Sequence, residues 1–553
     1  MADPKLKIIP LGGLNEIGKN ITAYECGNDI IVVDCGLGFP DDDMLGVDLV
    51  IPDITYLIKN QDRIRGLILT HGHEDHIGAI PYVFHQINPP IYATRLTAGL
   101  VELKLAEAKL LDKVKIFRKE AGDSFTLGCF EVEMIHVNHS IADSVALGIR
   151  TPLGNVVHTG DFKIDPSPIE GGIIDLARFG NLGMEGVLAL LADSTNVEKH
   201  GYSDSESSVG KKFESHFAGC KKRIIITTFA SNVHRIQQVI NVASKYGRKV
   251  AITGRSMENV MRLSIEMGYL EVPPDTLIDI TKIKNYPPEK IVVVTTGSQG
   301  ENMSALYRMA FSGHRQVEIG PDDRVIISAS AIPGNERMVA KVVNELFMKG
   351  AEVHYNAFEE LHVTGHACRE ELKIITALTK PQYFIPVHGE QRHLRTHAAV
   401  AAELGIPEEN IFIGSIGKVL EISKKGARWA GTVPAGRVLV DGSGVGDVGS
   451  VVLRDRRLLS QDGMVVVVAT LSSEDSTLVS GPDIITRGFV YAKESEELME
   501  ELRIVAADAI AECEADGVTD WATIKSAIKS SVSACLYKKT KRSPMILPVI
   551  MEV

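Results

Sequence analysis

The chain has 553 residues, a formal net charge of −12 and 24% charged residues. This length exceeds what one hydrophobic core supports, so we expect roughly two to four domains. The acidic net charge excludes a protein coated with basic residues for nucleic-acid binding, but it leaves room for a local basic channel.

Neither a secretory signal nor a membrane span is predicted. Residues 1–10 carry two lysines but no sustained apolar stretch. The longest purely apolar runs, such as 464–469, are far shorter than the ~20 residues that span a bilayer. The seven cysteines form no C-x-x-C pair and their number is odd, which argues against a disulfide scaffold or a thiolate zinc site. We therefore expect a cytoplasmic protein with no membrane segment.

The first part of the chain, up to about residue 190, is predicted to form short strands that end beside histidine or aspartate. Because ligands at successive strand ends meet at one edge of a sheet, this pattern predicts one metal site. The strands are predicted at 30–34, 66–70, 132–137 and 156–159, and they end beside Asp34, His71, His139 and Asp161.

From about residue 193 to 359 the pattern alternates regularly between strands and helices, which is typical of a parallel sheet inserted as its own unit. Strands return afterwards at 383–387 and 418–422, and the glycine-rich stretch 426–449 is interpreted as a connector. Within the insert, the strands are predicted at 223–227, 249–253, 290–295 and 323–328.

The last ~100 residues are predicted to form a small α+β domain without a catalytic cluster. Strands are expected at 463–470, 488–492 and 544–553, together with two amphipathic helices. The first of these helices begins near Ser495, a residue type that favours the N-cap position.

The cluster His71-Gly72-His73-Glu74-Asp75-His76 is an H-x-H-x-D-H pattern directly after an apolar strand. Histidine is the commonest zinc ligand, and aspartate adds a hard oxygen. His71 and His73 are positioned to hold one metal ion, and Asp75 and His76 a second; Glu74 is left without a metal role. The alternative, a histidine-rich surface loop, is disfavoured because three histidines and two acids fall within six residues.

Two metal ions need more ligands than this cluster supplies. His139, Asp161 and His388 are candidates because each follows a predicted strand and lies beside glycine or serine. A single histidine at a strand end is more often structural, but the incomplete metal site favours the ligand interpretation.

The order of these motifs resembles the metallo-β-lactamase fold, in which a carboxylate at the Asp34 position supports the histidine loop from behind the ligands. The insert and the motifs at 191–196, 364–367 and 386–389 resemble the β-CASP branch, whose members cleave nucleic acids. In that branch, members with a histidine at the position of His388 process RNA.

The resemblance narrows to the bacterial ribonuclease J family and covers nearly the whole chain. Every metal position of the family is retained, and Thr364 stands where many members have serine, which keeps the hydroxyl. The stretches that carry the resemblance are 10–20, 71–79, 229–235, 296–301, 332–336 and 537–553.

The resemblance implies an α/β protein: a metallo-β-lactamase αββα sandwich with an inserted α/β β-CASP domain and a small α+β C-terminal domain. The implied boundaries are 1–195 and 360–425 for the two parts of the sandwich, 196–359 for the insert, 426–450 for a linker and 451–553 for the C-terminal domain.

The resemblance also implies two Zn²⁺ per subunit, which share Asp161; Mn²⁺ can serve a similar ligand set. Asp75 and His366 are implied as catalytic, with His366 stabilising or protonating the leaving 3′-oxygen. One zinc would be held by His71, His73, His139 and Asp161, and the other by Asp75, His76, His388 and Asp161.

Two segments are implied to bind the substrate. The first is His362, Val363, Thr364, Gly365 and His366. The second opens a helix after a strand, a natural phosphate site, although an N-capped helix start with a solvated arginine is the alternative. It contains Ser231, Asn232, His234 and Arg235, which in the family contribute to a pocket for a 5′-monophosphate.

Some family members also hold a structural Ca²⁺. In this chain it would lie between the backbone oxygens of Leu45 and Val47 and the carboxylate of Asp441, ligands that suit calcium. A hydrogen-bonded contact between loops remains the alternative.

The implied function is a zinc-dependent ribonuclease with 5′→3′ exonuclease and endonuclease activity that leaves 5′-phosphate ends in rRNA processing and mRNA decay. Implied partners are single-stranded RNA with a 5′-monophosphate, further copies in a homodimer or homotetramer, and other RNA-decay enzymes. Two alternatives are another hydrolase of this fold, whose small substrate would need no such insert, and a non-catalytic scaffold, in which metal ligands would be missing.

Overall fold

The computed structural model describes residues 4–169, 171–301, 303–331, 335–355, 361–473, 477–489 and 496–553. The chain divides into two compact units, one made of Met1–Phe39 with Leu49–Val438 and the other of Pro40–Asp48 with Leu439–Val553. The predicted helix cap at Ser495 lies outside the described residues, as do 490–492 of a predicted strand and 332–334 of one family motif. Among the described residues, no helix combines the length and the apolar character that crossing a membrane requires.

Two sheets in the first unit pack face to face. Their facing side chains form one buried core, in which Ile8, Val33 and Ile68 of one sheet meet Val132 and Leu147 of the other. In spatial order, the first sheet contains Gly426–Thr432, Lys418–Ser423, Leu6–Pro10, Thr22–Cys26, Asp29–Val33, Ile64–Ile68, Ile91–Thr94 and Ile116–Lys119, and the second contains Tyr383–Val387, Val187–Asp193, Gly154–His158, Val145–Thr151, Phe130–His136 and Ser124–Leu127.

Helices complete the αββα arrangement that the resemblance predicts. On the second sheet, Phe179, Leu182, Leu372 and Val400 pack against strand residues such as Phe384 in a second buried cluster. The helices of the sandwich are Thr55–Lys59, Glu74–Ile77, Ile80–Val83, Arg95–Glu107, Leu176–Glu185, Arg369–Thr379 and Gln391–Glu403, with 3₁₀ turns at Gln61–Arg63, Leu111–Lys113 and Glu408–Asn410.

The insert is a parallel sheet with helices around it, as the alternating pattern predicts. Its four central strands are largely buried on both faces, which explains their continuous runs of Ile and Val. In spatial order they are Leu277–Ile278, Lys249–Thr253, Ile291–Thr295, Arg223–Thr227, Asp323–Ile327 and Glu352–His354; the helices are Ser207–Phe217, Val233–Lys245, Arg255–Glu266, Ala305–Ala310 and Glu336–Met348, with 3₁₀ segments at Ile280–Asn285 and Pro288–Lys290.

The glycine-rich stretch after Ser423 was predicted to be an irregular connector, but its first residues form a strand. Gly426–Thr432 pairs with Lys418–Ser423 in an antiparallel ladder. Ala427 and Trp429 pack against the sandwich core, so side-chain burial outweighs the turn preference of the glycines. Further strands lie at Leu49–Pro52, Arg437–Asp441 and Gly444–Val445.

The second unit contains a three-stranded sheet with two helices on one face. Met464–Leu471 is central, antiparallel to Leu478–Arg487 and parallel to Met545–Glu552. Val465 and Val467 point towards Leu502, Ile510 and other side chains of the helices in a common buried cluster. The helices are Glu496–Ala515 and Trp521–Thr540, and a further helix, Ser450–Asp462, is one that the sequence analysis did not predict.

A buried ion pair links parts of the insert to the segment that follows it. Arg235, which is fully buried, donates from Nε and Nη2 to the two carboxylate oxygens of Glu206 at 2.6 and 2.9 Å. Its Nη1 donates to the Oγ and carbonyl of Ser328 and to the carbonyl of Leu361. The guanidinium therefore links a helix start, a strand end and the segment that follows the insert.

We expect Arg235→Ala to lower the free energy of unfolding of the insert by about 3–5 kcal/mol, because it leaves the Glu206 carboxylate buried without its cation. Urea unfolding of the full chain, followed by circular dichroism, measures this change. Lys245→Ala is the control, since it removes an exposed pair with Glu214 in the same insert and should leave the transition unchanged. Equal midpoints for the two variants would contradict the structural role of Arg235.

Candidate metal centre

The histidine cluster lies on a loop that follows the strand Ile64–Ile68 and runs into the short helix Glu74–Ile77. Backbone hydrogen bonds fix this helix from the side: Cys35 donates to the His76 carbonyl at 2.7 Å and Asn20 to the Asp75 carbonyl at 2.9 Å. Gly36 is required in this contact, because a Cβ atom there would lie 1.6 Å from the Asp75 carbonyl oxygen.

The first group of candidate ligands is His71, His73, His139 and Asp161. His73 Nδ1 lies 3.1 Å from both His71 Nε2 and His139 Nε2. The Oδ2 atom of Asp161 lies 3.6 Å from His71 Nε2 and 3.8 Å from His139 Nε2. The structure thus brings the His71–His73 loop together with two side chains that lie more distant in the sequence, His139 and Asp161.

The second group is Asp75, His76, His388 and again Asp161. The same Asp161 Oδ2 atom lies 3.2 Å from His76 Nε2 and 3.3 Å from His388 Nε2. Asp75 Oδ2 lies 3.6 Å from His76 Nε2 and 3.3 Å from His388 Nε2. One carboxylate oxygen therefore faces both groups.

The spacing of these atoms fits metal coordination. Tetrahedral ligands about 2.0–2.1 Å from an ion are separated from one another by about 3.3 Å, close to the separations between ligand atoms in both groups. Both ring nitrogens of His388 are buried and find no hydrogen-bond partner among the described residues, which a ligand explains for the nitrogen that faces the carboxylates. The residues fit divalent metal ions.

Neighbouring groups fix which ring nitrogen each histidine presents. His76 Nδ1 donates to Asp34 Oδ2 at 2.7 Å, and Thr70 Oγ1 contacts both Asp34 Oδ2 and His71 Nδ1. The Nδ1 atom of His139 donates to the Gly365 carbonyl at 2.6 Å. The Nε2 atoms of these rings therefore face the candidate metal site, where the side chain of Asn20 also contacts His76 Nε2 at 3.1 Å.

Burial and charge set the protonation of the ligands. Burial lowers the pKa of His71 and His139 well below the usual histidine value and that of His73 to about 4, which keeps these rings neutral. Although burial opposes it, His388 and His76 hold the pKa of Asp161 well below its usual range, so the carboxylate stays ionised. Neutral imidazole and ionised carboxylate are the forms that bind metals.

His366 lies beside the two groups without belonging to either. Its Nδ1 donates to Asp193 Oδ2 at 2.8 Å, and it lies 3.9 Å from Asp161 Oδ2. Although burial opposes it, the Asp193 carboxylate raises the pKa of His366. Asp193 lies within the family motif at 191–196, and no role of its own was predicted for it. The signal available was an acid directly after the apolar run 187–192.

The segment His362–His366 is fixed at several points. The Thr364 Oγ1 accepts from Asn196 Nδ2 at 2.6 Å, and Asn196 also donates to the His366 carbonyl at 3.1 Å. Val363 is buried, and no described residue bonds His362 Nδ1. Gly365 is tight against His139, because a Cβ atom there would lie 2.7 Å from the ring.

Two residues of the second predicted substrate segment are buried, and two are half-buried. Arg235 is buried with its donors bound to protein groups, and Asn232 is a buried N-cap whose side chain accepts from the Arg235 backbone at 3.0 Å. The prediction that these two contact phosphate is therefore replaced by a structural role, and the solvated arginine of the alternative is not observed either. Ser231 and His234 remain half-buried.

A cavity of about 230 Å³ opens beside the first ligand group. His139 lines one end, and His234, Tyr269 and Glu206 line other parts. The cavity is smaller than a typical drug-sized ligand pocket, and a candidate metal ligand forms part of its lining.

An arginine side chain contacts two of the three residues predicted to hold calcium. The Arg456 guanidinium donates from Nη1 to the Leu45 carbonyl at 2.9 Å and from Nη2 to the Asp441 carboxylate. Val47 donates its backbone N–H to Met44 within the same loop. A positive side chain lies between the groups that would bind a cation, so the geometry favours the alternative, a hydrogen-bonded contact between loops.

Glu74, the acid of the cluster that was left without a metal role, points away from both groups. It pairs with Lys104 at 2.5 Å on the exposed surface.

Family models match four successive parts of the chain. The metallo-beta-lactamase superfamily model covers 15–196, the model of the ribonuclease J beta-CASP domain covers 221–346, the model of the Zn-dependent metallo-hydrolase RNA specificity domain covers 350–413, and the model of the ribonuclease J C-terminal domain covers 451–553.

Full-length relatives agree with these models. Ribonuclease J2 of Bacillus subtilis is 42% identical over 548 residues, 99% of each chain. The chain belongs to the ribonuclease J family. Ribonuclease J of Thermus thermophilus is 43% identical over 557 residues, 99% of this chain and 95% of that protein. Ribonuclease J 1 of Streptococcus pyogenes is 43% identical, covering 98% of this chain and 97% of that protein.

A solved structure from Enterococcus faecalis, described as a protein of unknown function, shares the fold. Its TM-score is 0.54 at 16% identity, over 75% of this chain and 99% of that one. Together with the buried His/Asp groups, family membership makes the chain a metal-dependent, RNA-binding nuclease with hydrolase chemistry.

We expect Asp161→Ala to lower the metal content most, because it removes the oxygen that the two candidate ligand groups share. His139→Ala should lower it less, since His139 belongs to one group. Inductively coupled plasma mass spectrometry of the purified variants gives the metal content per chain. The control is His85→Ala, an exposed histidine outside both groups. Unchanged metal content in Asp161→Ala would contradict the shared ligand.

Proposed function

We propose that this chain is a zinc-dependent ribonuclease that degrades RNA 5′→3′ from 5′-monophosphate ends and also cleaves internally, leaving 5′-phosphate products. The observation that carries the proposal is the single Asp161 oxygen facing two sets of histidine nitrogens within 3.2–3.8 Å. Such a paired site suits in-line displacement at a phosphodiester. Mn²⁺ is the alternative ion for these ligands.

Each ion has a proposed set of ligands. His71, His73 and His139 hold one, Asp75, His76 and His388 hold the other, and Asp161 contributes to both. When bound, the pair supplies an activated water nucleophile and neutralises charge on the scissile phosphate. Asp34 orients His76 from behind, through the hydrogen bond to Nδ1.

His366 is proposed to serve the leaving 3′-oxygen. Asp193 orients its ring through Nδ1, so Nε2 is the nitrogen that is free to donate. The raised pKa of His366 keeps more of it protonated near neutral pH. The backbone of His362, Val363, Thr364 and Gly365 is held beside it and is proposed to position the substrate phosphates.

The cavity beside His139 is proposed to receive the nucleotide at the 5′ end. Ser231 and His234 lie half-buried at the helix start and are proposed to contact the terminal phosphate, and Asn232 caps this helix through the backbone of Arg235. A closed pocket one nucleotide from the metal centre would give stepwise exonuclease action.

The wider setting is proposed on the family resemblance and the sequence. The seven cysteines are free thiols, which suits a reducing cytoplasm. We propose single-stranded RNA in rRNA processing and mRNA decay as the substrate, self-association as a homodimer or homotetramer, and association with other RNA-decay enzymes. The domain boundaries implied by the resemblance remain part of this proposal.

A direct test offers one RNA sequence with a 5′-monophosphate, a 5′-triphosphate or a 5′-hydroxyl, and resolves product lengths over time. We expect mononucleotides to accumulate fastest from the monophosphate, because a pocket that binds the terminal phosphate favours that end. Nitrocefin is offered in parallel as a substrate for other hydrolases of this fold. Intact RNA together with nitrocefin turnover would overturn the proposal.

His366→Ala should lower kcat by about 10²–10⁴-fold with a smaller change in KM, because general acid catalysis contributes this much to a step. Asp193→Asn, which leaves the ring but weakens its orientation, should fall between wild type and His366→Ala. Metal content measured on the same samples separates this effect from loss of a ligand. A His366→Ala enzyme with wild-type kcat and full metal content would rule out the assigned role.

A further inference from the structure

A hydrogen bond between two buried side chains joins the two sheets of the sandwich. Tyr24 is fully buried on the strand Thr22–Cys26 of the first sheet. Its hydroxyl lies 2.7 Å from Nδ1 of His158, the last residue of Gly154–His158 in the second sheet. Burial lowers the pKa of His158 to about 4, so the ring is neutral. Neither residue belongs to a candidate ligand group, although Asp161 follows His158 by three positions.

The Tyr24 hydroxyl fixes the tautomer of His158. A buried O–H group requires an acceptor, and His158 Nδ1 is its hydrogen-bond partner among the described residues. Tyr24 therefore donates to Nδ1, and the single proton of the neutral ring lies on Nε2. No described residue forms a hydrogen bond with Nε2. This N–H group is a buried donor whose acceptor is not a protein group.

A small cavity lies behind the second ligand group. The ionisable residues that line it are Asp34, His76, His158, Asp161, Asp193 and His388. Its volume is about 20 Å³. One water molecule needs about 10–15 Å³ of such space and two to four polar partners. The cavity therefore has room for a single water molecule.

His388 also lacks a partner for one ring nitrogen. Its Nε2 lies 3.3 Å from carboxylate oxygens of both Asp75 and Asp161, so Nε2 is the nitrogen that would face an ion. Nδ1 then carries the ring proton, and this buried atom has no hydrogen-bond partner among the described residues. A ligating histidine almost always donates from its second nitrogen to a carboxylate, a carbonyl or a water molecule. His76 and His139 have such acceptors in the protein.

We propose that Tyr24 and His158 orient His388 through one water molecule bound in this cavity. The water accepts from His158 Nε2–H and from His388 Nδ1–H, and it donates to the carboxylates of Asp34 and Asp193 in the lining. Tyr24 and His158 are thus positioning residues, which hold the His388 ring with Nε2 towards the metal site. The inference rests on the zinc ligands of the proposed function and extends them to the side chains behind them.

Zinc affinity tests this inference. Metal-free, full-length protein is titrated with Zn²⁺ against a chromophoric chelator, and the dissociation constants of the two ions are resolved. His158→Phe keeps the ring shape and removes both nitrogens. We expect it to raise the dissociation constant of one ion, the one that His388→Ala also loses, about 10–100-fold, as loss of a group behind a ligand does. The dissociation constant of the other ion should not change.

Two conservative variants separate a lost donor from a lost ring. His158→Gln keeps an N–H group near the position of Nε2 and should retain most of the wild-type zinc affinity. Tyr24→Phe leaves His158 free to adopt either tautomer, so its affinity should lie between those of wild type and His158→Phe.

His397→Phe is the matched control. His397 is a buried histidine of the same sandwich, and its Nδ1 lies 3.0 Å from Ser194 Oγ. It does not line the cavity, so the variant should bind both ions as wild type does. Thermal melting of the metal-free proteins, followed by circular dichroism, shows which variants are folded.

Each result has a definite meaning. A wild-type chain that binds no second ion overturns the proposed ligand set and this inference together. Two ions bound by wild type, with unchanged affinities in His158→Phe, overturn this inference alone and leave the Tyr24–His158 bond as a contact between sheets. An equal loss of affinity in His397→Phe also overturns it. If His158→Phe does not fold, Tyr24→Phe decides instead, and an unchanged affinity there counts against the inference.

A crystal structure of the zinc-bound protein checks the water directly. We expect a water molecule within hydrogen-bonding distance of both His158 Nε2 and His388 Nδ1. A protein group in its place, or a cavity without a water molecule, would overturn the inference whatever the affinities are.

Discussion

The site depends on one buried carboxylate. Asp161 presents a single oxygen to imidazoles of His71, His76, His139 and His388, at 3.2–3.8 Å. An ionised carboxylate buried this deeply is strongly unfavourable unless positive charge lies beside it. Burial keeps His71 and His139 neutral, whereas the neighbouring carboxylates raise the pKa of His76 and His388 although burial opposes it. The positive charge beside Asp161 is therefore supplied by these two protonated rings, or by metal ions once the rings bind them as neutral ligands.

The order of the strands in the sandwich places the candidate ligands next to one another. Three neighbouring parallel strands of one sheet each end at a functional side chain. Asp161 follows the strand Gly154–His158, Asp193 is the last residue of Val187–Asp193, and His388 follows Tyr383–Val387. Neighbouring strands lie about 4.8 Å apart, so the residues at their ends arrive within reach of one another. Asp34 and His388 have φ values of 61° and 55°, in the left-handed region that side chains other than glycine seldom adopt. Backbone hydrogen bonds, from Asp34 to Ile68 and from His388 to Gly13, stabilise these conformations.

The sequence predicts those elements that have a local pattern, and it misses those that depend on contacts between distant residues. Apolar strands that end at His71, Asp161 and His388 are visible in the sequence, and so is the parallel character of the insert. The strand Gly426–Thr432 is not, because its glycines indicate turns and only the packing of Trp429 against the core explains it. The helix Ser450–Asp462 is similarly hidden, since it has no buried residue to mark an apolar face. The sharing of Asp161 was implied by the resemblance alone.

Arg235 illustrates the same limit and shows how the insert acts on the site. Its position at a helix start indicates a phosphate contact, but Glu206, which precedes it by 29 residues, lies against it in the fold. Arg235 and Ser328 both donate to the Leu361 carbonyl, and Leu361 begins the segment that holds His139 through Gly365. An apolar pair of similar volume in place of Arg235 and Glu206 would avoid the desolvation cost of two charges. It would also remove one of the two donors to the Leu361 carbonyl, so the ion pair helps to position the segment that begins at Leu361 and holds His139 through Gly365.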